Sequence, residues 1–211
     1  EGQGLTALGE NGTFRSVSQE VVLAEYPDDP AAADDALLAA AQRGDLSAFE
    51  RLYERHGTRM KSIAANLLGS VADAEDVVQE TFLKVHRGAA AFRGGARFST
   101  WVYRILLNSC YDAMRRRQRR PESELPADGS AGARDVPAAA GDHPLRLELE
   151  DAVARLDERP RSAFLMSAVE GFTHREIGEI LGITEAASRS LLFEARRELQ
   201  RMLWSGREAR A

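Results

Sequence analysis

The chain has 211 residues, 44% apolar and 29% charged, enough for one medium domain or two small ones, each with its own core. A single cysteine excludes an intrachain disulfide, and four scattered histidines offer no zinc pattern. The net charge of −5 conceals a basic block, because residues 84–120 hold 10 bases and one acid (+9) while residues 1–50 hold two bases and 10 acids (−8).

No apolar run approaches the roughly 20 residues of a membrane span, and Glu1 to Phe14 lack the basic start and apolar block of a secretory signal. The chain therefore reads as soluble and cytoplasmic. With 7% aromatics, 17 Gly and 7 Pro and little strand-like alternation, the expected class is all-α.

Residues 1–33 are Gly- and Asp-rich without a sustained period and read as a flexible leader. From 34 to 120 the pattern is helical, punctuated by Gly44, Gly69 and the pair at 94–95, with Ser70 and Ser99 as N-cap candidates. About four helices fit. The helix from about Val71 to Arg87 places Ala74, Val77, Val78, Thr81, Phe82 and Val85 on one side. Asp76, Gln79, Glu80, Leu83 and Arg87 share the other. A polar face with one exposed leucine is either solvated or a protein-docking surface.

The helix from about Ser99 to Arg119 buries Val102, Tyr103, Leu106, Leu107, Cys110, Ala113 and Met114, leaving Trp101, Arg104, Asn108, Arg115 and Arg119 opposite. Aromatics interleaved with arginines (Phe92, Arg93, Arg97, Phe98, Trp101, Arg104) suit a single nucleic-acid strand, whose bases stack on rings while its phosphates meet cations. Phe98 and Trp101 also fit a second role, as core residues.

Residues 121–144, with four prolines and three glycines, have the composition of an acidic linker between two small domains. In the second, at 145–205, Thr173 and Glu176 make a capping box, Gly182 ends a short helix, and Thr184 caps the next. Ile177, Ile180 and Leu181 face the stripe of Ile183, Ala187, Leu191, Leu192, Ala195, Leu199 and Met202. This is a helix-turn-helix, whose second helix fits a DNA major groove. Arg189, Ser190, Phe193, Arg196 and Arg197 lie on the free face. An ordinary helical hairpin is the competing reading. Residues 206–211 read as a tail.

The stretch AEDVVQETFLKVHRGAAAFRGGARFSTWVYRILLNSCYDAMRRRQRR resembles region two of bacterial sigma factors of the extracytoplasmic-function type, and the helix-turn-helix resembles their region four. The resemblance implies that Asp76, Gln79, Glu80 and Leu83 dock on the clamp helices of the largest subunit of RNA polymerase core. It implies that Phe92, Arg93, Arg97, Phe98, Trp101, Arg104, Asn108, Arg115 and Arg119 capture the melted minus-ten strand of promoter DNA. Arg175, Arg189, Ser190, Phe193, Arg196 and Arg197 would serve the minus-thirty-five element. Two departures stand out: Glu194 where the family commonly has a base, and Ser167 where some relatives place a phosphate-contacting arginine. An anti-sigma factor is implied as a further partner, with no cofactor, no metal and no membrane insertion.

Two other classes compete. A stand-alone helix-turn-helix regulator would need only the second domain and leaves residues 70–120 without a role. An enzyme would have to use Cys110 or the acids Glu75 and Asp76, yet Cys110 falls on the buried helix face and adjacent acids diverge by about 100° on a helix. No catalytic residue is expected.

Overall fold

The computed structural model describes residues 30–119 and 144–208. Within them the chain forms α1 (Pro30–Gln42), α2 (Leu46–Leu68), α3 (Val71–Ala89), α4 (Phe98–Arg119), α5 (Pro144–Arg155), α6 (Glu158–Phe164), α7 (His174–Leu181) and α8 (Glu185–Glu208). Among the described residues the all-α expectation holds, with four helices between residues 30 and 119.

Local signals explain most of the boundaries in the first domain. The Asp45 carboxylate accepts the amides of Ser47 and Ala48 at 2.9 and 3.2 Å, which starts α2. Gly69, at φ 72°, ends it in the left-handed region and donates its amide to the Ala65 carbonyl. Ser70 then accepts the Asp73 amide at 3.2 Å and starts α3, as its position in the sequence predicts. The apolar faces of the four helices close around Leu37, Leu52, Met60, Ile63, Val85 and Leu106, all essentially without exposure.

Three boundaries differ from expectation. α1 begins at Pro30 rather than 34, and Ala33 is buried, so the last residues of the expected leader belong to the first domain. Ser99 is not an N-cap, because α4 already begins at Phe98. The Phe98 amide is instead accepted by the Asp35 carboxylate of α1 at 3.3 Å, a cap supplied from 63 residues away. The expected linker at 121–144 lies outside the described residues except Pro144, the opening residue of α5, where proline's missing N–H is no loss.

In the second domain α6 runs into a wider turn at Leu165–Val169, closed by the Glu170 amide on the Leu165 carbonyl at 3.1 Å. Gly171, at φ 71°, redirects the chain. The Thr173–Glu176 capping box forms in both directions and starts α7. Gly182, at φ 67°, ends α7, and Thr184 accepts the Ala187 amide at 3.1 Å to start α8. The α7–α8 turn passes so close to Gly178 that a Cβ there would stand 2.9 Å from the Ile183 carbonyl oxygen.

The two domains pack on each other. Phe172 lies between Tyr103, edge-on at 5.0 Å, and the Arg59 guanidinium, 3.7 Å above its ring. Glu170 pairs with Arg59 at 3.5 Å and accepts the Ser62 hydroxyl. The buried Arg161 donates to the carbonyls of Ala154, at 2.8 Å, and of Leu67 across the domain boundary. The Tyr111 and Ser162 hydroxyls meet at 2.7 Å.

Candidate polymerase and nucleic-acid interfaces

The outer face of α3 presents Asp76, Gln79 and Leu83 to solvent, with Leu83 55% exposed. Glu80 is half-buried, because its carboxylate is shared by Lys84 at 2.9 Å and Arg116 of α4 at 3.8 Å. Lys84 also donates to the buried Ser109 hydroxyl at 2.9 Å, so Glu80 belongs to a small network joining α3 to α4. An apolar side chain ringed by polar ones on a rigid helix is suited to a protein partner: the leucine supplies area and the rim supplies register.

The basic block divides in two. Arg93 and Arg97 project from the exposed loop between α3 and α4. Asn108, Arg115, Arg116, Arg117 and Arg119 are exposed along α4, and the arginines gather in its last turns, where the helix dipole favours cations. The one acid of the block, Asp112, bonds Arg115 at 2.7 Å, which holds its carboxyl below the usual carboxylate range.

The aromatics do not all lie on that surface. Phe98 is a core residue with no exposure, which corrects its expected role as a stacking ring. Phe92 and Trp101 are half-buried and lie against each other at 4.7 Å with 33° between their planes. Trp101 also presses on α3 at Gly88, where a Cβ would stand 3.1 Å from its ring. Arg104 is exposed but engaged, since its guanidinium donates to the carbonyls of Glu179 and Ile180 at the end of α7. Thr100, one turn earlier, donates to the Glu179 carboxylate at 3.2 Å. The second domain thus covers the start of α4 and occupies one of its expected DNA residues.

On α8, Arg189, Ser190, Phe193, Arg196 and Arg197 all face solvent, and Phe193 is 68% exposed. Arg189 pairs with Glu185 one turn back, and the Ser190 hydroxyl donates to the Ala186 carbonyl at 3.1 Å. Arg175, on α7, is exposed and pairs with Glu179 at 3.2 Å. Glu194 is exposed on α8, and Ser167 is half-buried in the wide turn after α6. The geometry is a protruding helix with cations flanking an apolar ring, backed by the packed pair α7–α8.

Sequence reasoning missed Gln42, which donates to the carbonyls of Ala89 and Phe92 at 2.8 and 3.1 Å, and it missed the domain contacts of Arg59, Arg161, Glu170 and Glu179. None of these partners lies within 45 residues in sequence, so no local pattern marks them. Cys110 is fully buried and burial pushes its thiol up to about 12, which removes it as a nucleophile.

Comparison with known proteins shows the family to which this chain belongs. Residues 52–120 match the model of Sigma-70 region 2, and residues 146–199 match that of Sigma-70, region 4. The chain is 32% identical over 170 residues to the ECF RNA polymerase sigma factor SigM of Mycobacterium tuberculosis, covering 81% of this chain and 84% of that protein. It is 33% identical over 160 residues to the RNA polymerase sigma factor CarQ of Myxococcus xanthus, covering 76% and 91%.

Among solved structures, CnrH in complex with the cytosolic domain of CnrY superposes with a TM-score of 0.63 at 26% identity, covering 82% of this chain and 97% of that one. RpoE of Bartonella quintana, in complex with the anti-sigma factor NepR, gives 0.59 at 25% identity, covering 74% and 96%. The stand-alone regulator is set aside, because residues 70–120, which it left without a role, fall inside the region 2 match. With both family regions present in order and the relatives matched over most of their length, the chain belongs to the sigma-70 family as an RNA polymerase sigma factor of the extracytoplasmic-function (ECF) type.

Proposed function

We propose that the outer face of α3, centred on Leu83 with Asp76, Gln79 and Glu80, docks on the clamp helices of RNA polymerase core. The α3–α4 loop and α4 then hold the melted minus-ten strand through Phe92, Arg93, Arg97, Trp101, Arg104, Asn108, Arg115 and Arg119. Residues Arg175, Arg189, Ser190, Phe193, Arg196 and Arg197 engage the minus-thirty-five duplex. The protein acts where the polymerase is, in the cytoplasm. The solved relatives CnrH and RpoE were captured with CnrY and with an anti-sigma factor, which supports a comparable partner here.

The observation that carries the docking reading is Leu83, a large apolar side chain 55% exposed on a helix whose other side is fully packed. Co-elution with purified core polymerase tests it. Leu83→Asp and Asp76→Arg are expected to abolish co-elution with helicity unchanged, and retention by both would overturn the reading. Leu83 is a cleaner probe than Glu80, whose loss also breaks the network to Lys84 and Arg116.

A further inference from the structure

The α3–α4 loop is tied at both ends to one helix. The two N–H bonds of the Gln42 amide go to the carbonyls of Ala89 and Phe92, at the end of α3 and the start of the loop. The Asp35 carboxylate takes the Phe98 amide at the loop's other end. Asp35 and Gln42 are seven residues apart, two turns on the same side of α1 and about 10 Å along its axis. Between these ties the loop is open: Gly94 has φ 73°, and neither Gly94 nor Gly95 has a neighbour within 4 Å of where a Cβ would be. Phe92, held by its own carbonyl, carries the ring that lies on Trp101.

An exposed glutamine and an exposed aspartate are normally free to rotate, and fixing them costs side-chain entropy. Here both reach backbone groups at the two ends of the loop. Asp35 takes the Phe98 amide, one of those the start of α4 leaves without an intrahelical partner. Gln42 adds to the Ala89 carbonyl, which also accepts the Phe92 amide, and to the Phe92 carbonyl within the loop. A loop that must accept an unpaired strand binds more tightly if its shape is set beforehand, because less ordering remains to be done on binding. We infer that Gln42 and Asp35 are positioning residues: α1 straps the loop into its strand-holding shape without touching the strand.

This rests on the reading that the loop holds the minus-ten strand, so the test has an arm for each. The full chain bound to core polymerase is titrated with a fluorescent single-stranded oligonucleotide recovered by the wild type from a random pool. Arg93→Ala with Arg97→Ala is expected to weaken binding and lower the salt slope by about 0.7 per contact. Gln42→Met and Asp35→Leu are each expected to weaken it roughly fivefold to tenfold, with the salt slope and polymerase co-elution unchanged. Asp35→Asn, which keeps an acceptor, is expected to restore it.

Wild-type affinity in Gln42→Met and Asp35→Leu, beside a weakened arginine pair, would overturn the strap alone. An unchanged arginine pair would overturn the strand reading and the strap with it. A loss in Asp35→Asn equal to that in Asp35→Leu would also overturn the strap.

Discussion

Single side chains divide sharply into those whose role is written beside them in the sequence and those whose role is set from elsewhere. Thr173 is of the first kind, since its box with Glu176 is complete within four residues. Thr173→Ala is expected to destabilise the second domain by about 1 kcal/mol, and Thr173→Ser to restore most of it, read from denaturant midpoints. Gly178 is of the second kind: Gly178→Ala is expected to lower the same midpoint, because the Ile183 carbonyl leaves no room for a methyl. Phe98→Ala is expected to cost about 3–5 kcal/mol, as for a core ring, and the polar Arg97→Ala next to it far less. Cys110 is expected to resist a thiol reagent at neutral pH until denaturant is added, since its thiolate forms only at strongly alkaline pH in the fold.

At the scale of the element, a helix's period was enough to read which face is buried. The apolar stripes of α3, α4, α7 and α8 fall where a 3.6-residue repeat places them, and the glycines end α2 and α7 as the cap chemistry demands. What the period does not encode is the partner that the other face meets. On α4 it separates Arg104 from Val102 and Leu106 correctly, yet it contains no trace of the α7 carbonyls that take up Arg104. Ser99 is a reasonable cap by composition, and it loses to Asp35 because tertiary packing brings a carboxylate to the same amide. Trp101 was ambiguous for the same reason: its surroundings, Phe92 and Gly88, are set by how α3 meets α4.

For the whole molecule the two domains form a closed arrangement in which Glu179 contacts Thr100 and Arg104 together. Glu179→Arg would remove the acceptor for Thr100 and set like charge beside Arg104. The expected outcome is a larger radius of gyration in small-angle scattering, which the wild type approaches as salt is raised and the Arg59–Glu170 pair is screened, and a higher affinity for single strands than the wild type at the same salt. An unchanged radius in the variant would argue that the remaining contacts, Phe172 on Tyr103 and Arg59, Glu170 on Arg59 and Ser62, Arg161 on Leu67 and Tyr111 on Ser162, suffice to hold the domains.

The closed contact joins two parts of one chain, 24 residues of which lie between Arg119 and Pro144, and that makes it a matter of local concentration. A covalent tether of that length typically presents one domain to the other at on the order of millimolar. An interface too weak to be seen between separate fragments is then largely formed in the intact protein. A strand or partner competing for the start of α4 meets a rival that dilution does not remove. Cutting the chain in the intervening peptide would therefore change the competition while leaving every contact among the described residues as it is.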